Sequence, residues 1–444
     1  MNALIIAFKA IWIFVKVFCC GVFNVNNPLG WTWNKWMQGH TFRTTGQKSR
    51  TDFLAVPRYW VRAVRKIFDN RNFQVVHQAE AIYCQSTSQE AQFSNYLKAL
   101  TGRDFKFLIY RDNSPHGMAL MNKVVLFLLM SVIALVLFFC SLFARHRSRL
   151  GLMLLQWVEN VLMMTICSRW GVQKLYFFGG YENDSCFTGL LSRSMKVHLV
   201  TIPSANPIRN FYQQVVTDTF VITADFQNTE YKKYNHQWLC GHIEQWPFIE
   251  FSKLSPYIKQ GDNTNKMCIG LLSRGAWLRK KRSLFAQNNN RDFEYEERCM
   301  NALRNFLKSH PIYTLVILPH PMECHRPDIK LEAIDYYNDY FAGLSIVFYD
   351  KGLKSYQCFS DVDVTVTAIS SANIERLYCG YKAMFAPLGA EMEFFSGSTL
   401  DNIVCRTEDT FDKMLSDILS KNEEEFFQHY HLQPYRFDSI RTQR

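Results

Sequence analysis

Two strand-like runs in the C-terminal half end in polar residues that could hold a phosphate. Residues 313–321 read YTLVILPHP, and residues 362–380 read VDVTVTAISSANIERLYCG. Ser370 and Ser371 lie where the second run ends and a helix is predicted to begin, so their hydroxyls and the first-turn N–H groups favour an anion. Glu375 follows one turn later and could accept hydrogen bonds from ribose hydroxyls. Alternatively, the serines only cap the helix and Glu375 is a solvated carboxylate.

His320 lies at the end of the first run, on a strand that we expect to neighbour the strand before Ser370. An imidazole in this position can donate a hydrogen bond to a phosphate or a sugar carboxylate, or act as general acid on a departing phosphate. The alternative is an ordinary loop histidine. His320 is therefore a candidate for both catalysis and donor binding.

A third polar turn follows the apolar run at 267–273. It contains Ser273, Arg274 and Gly275 and leads into four consecutive cations at 279–282. A strand, a small polar turn and cations suit a diphosphate. The four cations are equally consistent with a solvated loop. We expect the three turn residues to contact the phosphates of a nucleotide donor.

The elements that would position these residues alternate between strand and helix. Apolar runs recur between helical patterns over 81–226 and again over 267–388. Continuous apolar strands in repeated βα units predict parallel sheets with both faces covered. The predicted fold class is α/β with two Rossmann-like domains, and ligands are expected at the carboxyl ends of the strands.

The length of 444 residues suits two domains of ordinary size. The predicted segments are a membrane-interface segment at 1–45, an N-terminal acceptor-side domain at 46–250 with a hydrophobic helical insertion at about 122–168, a linker at 251–265, a donor-binding domain at 266–410 and C-terminal helices at 411–444.

The C-terminal motifs carry a resemblance to a known class of enzyme. Ser-Arg-Gly after a first strand, LPHP after a middle strand and SSxxxE before the strand KAMFAPL resemble the nucleotide-binding half of GT-B glycosyltransferases. The pairing of an HP motif with a Ser-Ser motif is similar to bacterial sialyltransferases that use CMP-activated sugars, to capsule polysaccharide transferases and to CDP-glycerol glycerophosphotransferases. The resemblance covers about residues 266–390 and implies a nucleotide-sugar donor as substrate, with no other cofactor.

The resemblance also bears on stereochemistry and on the catalytic base. Many retaining members carry a glutamate eight residues before the position of Glu375, but this chain has Thr367 there, which favours inversion. Bacterial sialyltransferases carry an acidic-acidic-glycine motif for the base. The nearest candidates are Glu182 and Asp184 in the N-terminal half, where a carboxylate at a strand end could take the proton of an acceptor hydroxyl. Asp184 as a helix cap is the alternative.

Asp361 and Asp363 spell a DxD pattern, the metal motif of a different glycosyltransferase fold. They straddle the start of a buried strand, which disfavours a metal site. We therefore predict metal-independent transfer, in which a helix dipole, an imidazole and hydroxyls stabilise the departing phosphate.

Two segments indicate a membrane. Residues 1–23 are apolar except for Asn2, Lys9 and Lys16, which suits a helix that lies in the interface. Residues 124–144 carry no charge and are long enough to span a bilayer. A single crossing there would place the two halves of one predicted domain on opposite sides. We therefore expect a monotopic helix, with true spanning or a buried core helix as alternatives.

Composition narrows the partners. Lys and Arg exceed Asp and Glu by 11, which suits anionic lipid, nucleic acid or a phosphorylated substrate. Because the cations are not interleaved with a repeated aromatic platform, we expect no nucleic-acid partner. The 13 cysteines include no CxxC pair and several lie in apolar runs, which is typical of a reducing cytoplasm.

The sequence therefore predicts a glycosyltransferase on the cytoplasmic face of the inner membrane. It would move a sugar from a nucleotide donor, with a CMP-linked sugar as one candidate, to a capsular, lipopolysaccharide or lipid-linked acceptor. A CDP-glycerol-type glycerophosphotransferase and a non-enzymatic membrane scaffold remain alternatives. Donor base, sugar, linkage and oligomeric state stay open.

Overall fold

The computed structural model describes most of the chain. The described residues are 3–23, 25–38, 54–68, 78–84, 87–109, 119–143, 147–178, 185–203, 214–224, 226–229, 238–247, 254–259, 267–282, 290–349, 355–390 and 395–435. They form two compact units. The first contains Met1–Ser204, Asn210–Ile222 and Glu230–Ile249, and the second contains Ala205–Arg209, Thr223–Thr229 and Glu250–Arg444.

The first unit contains a six-stranded, all-parallel sheet in the order β2-β1-β3-β4-β5-β6. Its strands are β1 (Glu80–Cys84), β2 (Lys106–Ile109), β3 (Lys174–Phe178), β4 (His198–Ile202), β5 (Val215–Ile222) and β6 (Trp238–Gln245). Its helices are α1 (Ala3–Val22), α2 (Pro28–Gln38), α3 (Ala55–Phe68), α4 (Thr87–Thr101), α5 (Leu120–Phe143), α6 (Arg147–Trp170) and α7 (Ser185–Met195). This order is that of a doubly wound fold.

Helices cover both faces of this sheet, as parallel strands require. On one face, Phe93, Tyr96 and Leu97 of α4 pack with apolar residues of the strands. On the other face, α6 and α7 lie in one large apolar core with the strands, and α1, α3 and α5 join the same core. The sheet is thus covered by α6 and α7, and α1, α3 and α5 add a further layer.

Three described helices are long and apolar enough to cross a membrane, judged by length and composition. They are Leu4–Gly21, Leu120–Leu142 and Arg149–Trp170. The third differs from the others because 94% of it is buried inside the protein, against 28% for each of the first two. The predicted insertion at 122–168 therefore contains two helices that differ in burial. α6 is a core helix in the connection to β3, whereas α5 has a largely uncovered face.

The second unit contains a five-stranded, all-parallel sheet in the order β11-β10-β7-β8-β9. Its strands are β7 (Cys268–Leu272), β8 (Thr314–Leu318), β9 (Ile346–Phe348), β10 (Val364–Thr367) and β11 (Lys382–Phe385). Its helices are α8 (Ala276–Lys281), α9 (Asn290–Ser309), α10 (Pro321–Cys324), α11 (Pro327–Tyr340), α12 (Ser371–Tyr378), α13 (Glu408–Ser420) and α14 (Glu423–His429). The expectation of two Rossmann-like α/β sheets is confirmed.

Part of the segment predicted as a linker packs within the second unit. The backbone N–H of Lys259 donates to the carbonyl of Cys379 (2.9 Å), and the Lys259 ammonium forms an ion pair with Glu423. Residues 260–266 lie outside the described residues.

Candidate functional site

The strand order of the second unit locates its candidate site. Read along the chain, the five strands give the spatial order 3-2-1-4-5, so the winding direction reverses between β7 and β10. Ligands of open parallel sheets bind outside the carboxyl ends of the strands at this reversal. Ser273 follows β7 and Ser370 opens the helix after β10, so the two polar turns lie on the two sides of this point. The hydroxyl of Thr367 donates to the carbonyl of Leu272 (3.0 Å) and ties the two strand ends together.

The order corrects one expectation. We predicted that the strand ending near His320 neighbours the strand before Ser370. Instead, β8 pairs with β7, and β7 lies between β8 and β10. In this strand order the first strand of the unit, β7, lies in the middle of the sheet. The second strand, β8, and the fourth strand, β10, lie on opposite sides of β7 and are therefore not neighbours.

Ser370 is the N-cap of α12. Its Oγ accepts the backbone N–H of Ala372 (3.3 Å), which is the capping role weighed against phosphate binding. A capping hydroxyl still has its own proton to donate. Ser371 occupies the first helical position, and Ser370, Ser371 and Glu375 are all half-buried. The helix start is therefore partly accessible to a ligand.

Two buried polar residues fix α12 to the sheet. Asn373 accepts the hydroxyl of Thr365 (2.6 Å) and donates to the carbonyl of Met384 (2.8 Å), so it joins the helix to β10 and β11. Arg376, which is fully buried, donates from all three of its nitrogens to backbone carbonyls. The acceptors are the carbonyls of Lys382 (2.7 Å), Phe359 (2.6 Å), Val362 (2.8 Å) and Asp363 (3.0 Å).

Among the described residues, no carboxylate forms an ion pair with Arg376. Its guanidinium lies 4.9 Å from the ring centre of Tyr381 and 5.6 Å from that of Phe359. Burial lowers the pKa of Arg376 to about 10, so it is still protonated at neutral pH. The start of α12 is thereby held rigidly against the edge where a ligand would bind.

The turn after β7 already contains an internal anion. Glu296 of α9 is buried and accepts the backbone N–H groups of Arg274 (2.7 Å) and Ala276 (3.0 Å) and the hydroxyl of Ser273 (3.2 Å). Gly275, with a φ of 63°, provides the left-handed turn that aligns these amides. These are the groups that we expected to contact a diphosphate, and the protein supplies a carboxylate to them instead.

A second buried carboxylate, Glu323, lies on the other side of Ser273. Oε2 accepts the backbone N–H of His320 (2.7 Å), and Oε1 lies within hydrogen-bonding distance of the indole N–H of Trp277 (2.5 Å) and the hydroxyl of Tyr337 (3.0 Å). Burial, and next the charge of Glu296, raise the pKa of Glu323 to about 7. The folded state thus favours its protonated form, which stabilises the fold below about pH 4.5 and ceases to do so as the pH rises through about 7.

Tyr337 connects these two carboxylates. Its hydroxyl donates to Ser273 Oγ (2.6 Å), and Ser273 in turn donates to Glu296, so Glu323, Tyr337, Ser273 and Glu296 form one hydrogen-bonded chain. This chain braces the turn after β7. Ser273 is therefore a positioning residue in the structure, with its hydroxyl turned to its own protein.

His320 caps the short helix α10. Its Nδ1 accepts the backbone N–H of Met322 (3.2 Å), which assigns the ring proton to Nε2. Nη2 of Arg279 lies 3.4 Å from Nε2. Burial, and next the charges of Arg279 and Arg274, lower the pKa of His320 to about 4. At neutral pH the imidazole is uncharged, so it can offer an N–H to an anion but carries no positive charge itself.

The other predicted residues fall into two groups. Glu182 and Asp184, the base candidates, lie outside the described residues, between β3 and α7. Of the DxD pair, Asp361 is exposed and Asp363 forms an ion pair with the buried Lys382 (3.0 Å). Among the described residues, no cluster of three or more His, Cys, Asp or Glu side chains could hold a metal ion.

The sequence motifs did not include the buried residues that hold the candidate site in place. Glu296, Tyr337 and Arg376 come from helices and gave no motif. Only Glu323 left a signal, because it stands three residues after His320 and completes a capping box with it. A capping residue followed three positions later by glutamate is the pattern of a capping box, and it could have indicated that a short helix begins after His320.

Replacing Tyr337 by Phe tests the hydrogen-bonded chain. The variant keeps the ring but removes the hydroxyl between Ser273 and Glu323, and we expect a loss of about 1.5 kcal/mol in unfolding free energy. Differential scanning calorimetry should show the transition of the second unit about 3–6 °C lower. Tyr336→Phe is the matched control, since the ring of Tyr336 stacks on Trp277 at 4.6 Å. Equal shifts in both variants would contradict the bracing role.

Comparison with known proteins gives similarity in structure only. No protein-family model and no curated protein matches the chain. Among solved structures, it is similar to UDP-GlcNAc 2-epimerase from Neisseria meningitidis bound to UDP-GlcNAc, with 12% identity, a TM-score of 0.45, and coverage of 81% of this chain and 96% of the other. It is also similar to MurG of Acinetobacter baumannii, with 11% identity, a TM-score of 0.43, and coverage of 82% and 94%. Similarity at this level carries no information about activity.

Proposed function

We propose that the chain is a glycosyltransferase of the GT-B type, which moves a sugar from a nucleotide donor to an acceptor hydroxyl at a membrane surface. The observation that carries this proposal is the reversal of winding between β7 and β10. It brings the start of α12, with Ser370 and Ser371, to the position where parallel α/β sheets bind nucleotides. The SSxxxE and LPHP motifs, which resemble those of GT-B enzymes, lie at the ends of β10 and β8 in the same unit.

The donor's phosphates would lie against the first turn of α12. The Ser370 and Ser371 hydroxyls would donate to phosphate oxygens, and the helix dipole would favour their charge. Glu375, half-buried one turn later, would accept from the ribose hydroxyls. Because Asn373 and Arg376 hold this helix, these donors need little reorganisation when the leaving group gains charge.

His320 would contribute a neutral N–H. An anion placed against Nε2 would accept this N–H, and the nearby guanidinium of Arg279 would balance the charge. Its lowered pKa argues against a charged general acid near neutral pH and favours hydrogen-bond donation to the leaving phosphate. Transfer would be inverting and would not use a metal.

The acceptor side belongs to the first unit. We propose Glu182 or Asp184 as the base that takes the proton of the acceptor hydroxyl, since both directly follow β3 along the chain. The acceptor would be a surface polysaccharide or a lipid-linked glycan on the cytoplasmic face of the inner membrane. The apolar helices of the first unit support the membrane surface in this proposal.

Calorimetry with CMP, CDP, UDP and GDP tests the donor site. The wild-type chain should bind one base class, and Ser370→Ala with Ser371→Ala should weaken that binding at least roughly 100-fold, because two hydrogen bonds to a charged phosphate are lost. Ser309→Ala with Ser420→Ala is the matched control, since both serines lie at helix ends elsewhere in the second unit. Its affinity should equal that of the wild type.

Three results would contradict the proposed donor site or assign a different activity to it. Unchanged affinity in the Ser370 and Ser371 variant, with intact folding, would remove this site. Transfer from CDP-glycerol but from no nucleotide sugar would assign the glycerophosphotransferase alternative, which uses the same strand-end motifs. No binding of any of the four nucleotides would favour a non-enzymatic scaffold.

A further inference from the structure

The first unit has a helix layer that its sheet does not require. This outer helix layer consists of α1, α3 and α5, which pack on α6 and on one another. Because α6 and α7 already cover the sheet, the outer layer needs a reason of its own. In a water-exposed layer, the outward residues of each helix should be polar.

In α5, the outward stripe is apolar instead. Its inward stripe, with Leu126, Met130 and Leu137, is buried in the core. Its outward stripe recurs at helical spacing and contains large apolar side chains that are between 38% and 62% exposed. They include Val124, Leu128 (56%), Val132 (62%), Leu135 (57%), Val136 and Phe139.

The same two-faced pattern recurs in α1. Ile6, Ala10 and Val17 are buried, whereas Ile5, Phe8, Trp12 and Val15 are exposed. The Lys16 ammonium lies 4.7 Å from the ring centre of the exposed Trp12. An aromatic ring beside a cation is typical of the zone between lipid tails and headgroups.

The charges of the layer all have one sign. The sequences of α1, α3 and α5 contain no carboxylate. Their cations are Lys9, Lys16, Arg58, Arg62, Arg65, Lys66 and Lys123. Of these, Lys123 is buried and Lys66 is paired with Glu159 of α6, whereas Lys16, Arg58, Arg62 and Arg65 are exposed. Three helices that expose apolar side chains and cations, and whose own sequences carry no carboxylate, complement an anionic membrane surface.

We infer that the outer helix layer seats the protein in the interface of an anionic lipid bilayer, with α1 and α5 lying along the membrane rather than across it. A second copy of this chain fits the surface less well, because face-to-face packing would bring cations against cations without acidic partners. The inference deepens the membrane side of the proposed function and can be tested without any nucleotide.

The sheet requires that α5 does not cross the bilayer. β1 precedes α5 in the chain and β3 follows it, yet the two strands are paired neighbours, with Ile82 opposite Tyr176. β1 and β3 are therefore on the same side of any membrane, so α5 could cross only together with α6 as a hairpin. A hairpin of α5 and α6 is also excluded, because α6 is buried in the core and its Glu159 forms an ion pair with Lys66 of α3 (2.5 Å).

Contacts between α5 and α3 hold the helix on the protein. The indole N–H of Trp60 donates to Ser131 Oγ (3.2 Å), and Phe127 packs against the rings of Trp60 and Phe68. A helix that left the protein to span the bilayer would lose these contacts. Half-immersion keeps them and covers only the outward stripe with lipid.

Vesicle flotation of the full chain tests the apolar stripe. We expect the wild type to float with phosphatidylcholine vesicles that contain phosphatidylglycerol, and Leu128→Glu with Leu135→Glu to lower the partition coefficient by at least roughly tenfold. Both side chains are exposed, so folding should be retained. Ile312→Glu with Leu331→Glu is the matched control, since these residues are exposed apolar side chains of the second unit (62% and 63%). This control should bind like the wild type.

The same assay separates the contribution of charge. Arg62→Glu with Arg65→Glu should lower partitioning at least roughly 30-fold on anionic vesicles, since two cations are lost and two anions added, and should leave the weaker binding to pure phosphatidylcholine vesicles unchanged. Lys308→Glu with Lys413→Glu, two exposed cations of the second unit, should change neither.

Several outcomes would overturn the inference. Equal binding by the Leu128 and Leu135 variant and its control would remove the apolar stripe from the contact. A lipid-free dimer that this variant dissociates would assign the surface to a second copy instead. Protease digestion of vesicle-bound protein would also contradict in-plane seating if a tag before α5 and a tag at the C terminus lay on opposite sides. Normal nucleotide binding beside any of these results would leave the proposed function intact.

Discussion

Replacing Arg376 by Met is expected to destabilise the second unit by about 4 kcal/mol. Methionine fills much of the arginine's space but donates nothing, so four carbonyl oxygens lose a donor in a buried place. Each such carbonyl costs about 1–3 kcal/mol when it is left unpaired, and entering water and local relaxation recover part of the sum. The loss is a large fraction of the stability of an ordinary domain.

Hydrogen exchange measured by mass spectrometry can localise this effect. Peptides over β10, α12 and β11 should lose about three orders of magnitude of protection, whereas peptides of the first unit should not change. Arg326→Met is the matched control, because Arg326 is an exposed residue paired with Asp328 and its loss should leave the stability nearly unchanged. Similar protection in both variants would show that the buried guanidinium is dispensable.

Replacing Gly189 by Ala is expected to destabilise the first unit by about 3 kcal/mol. A Cβ at this position of α7 would lie 1.9 Å from the carbonyl oxygen of Val216 and 2.7 Å from its carbonyl carbon. Alanine favours a helix over glycine by about 1 kcal/mol. The clash is with backbone of β5, which no rotamer change can relieve, so overpacking outweighs the helical gain.

Gly102→Ala is the control for Gly189→Ala. Gly102 has a φ of 69° and no atom within 4 Å of an added Cβ, so alanine there meets only backbone strain of about 1 kcal/mol. Calorimetric unfolding of the first unit should rank Gly189→Ala clearly below Gly102→Ala. The reverse order would mean that α7 can move away from β5 at little cost.

The sequence was sufficient for elements whose pattern is local. β7 and β8 are almost entirely apolar runs, β10 alternates valine with threonine, and each is followed by turn residues; these strands are observed. β6 was missed because its sequence, WLCGHIEQ, mixes Gly241, His242 and Glu244 into a strand that pairs on one side only, with β5. An edge strand is defined by its neighbour more than by its own hydrophobicity.

In the candidate site, too, the sequence indicated the residues with a local signal but not those brought in by long-range packing. Ser370 and His320 were found because a polar residue after a buried strand is a local signal. The contacts that orient them were not, because Glu296 and Tyr337 reach Ser273 from positions 23 and 64 residues away. No spacing in the sequence connects residues so distant, and only the packing of α9 and α11 on the sheet brings them together.

The pairing of β1 with β3 has a consequence for how the chain is made. Of the two paired strands, β1 is synthesised first. Its partner β3 begins about 90 residues later, after α5 and α6 have been synthesised. At about 5–20 residues per second, this interval lasts roughly 5–20 s. α5 ends about 30 residues before β3 begins, so for roughly the last 2–6 s of this interval α5 is an uncovered apolar segment that insertion machinery could capture as a membrane span. Correct assembly is therefore a kinetic competition, in which early docking of α5 on the already synthesised α3 would retain the segment for the sheet.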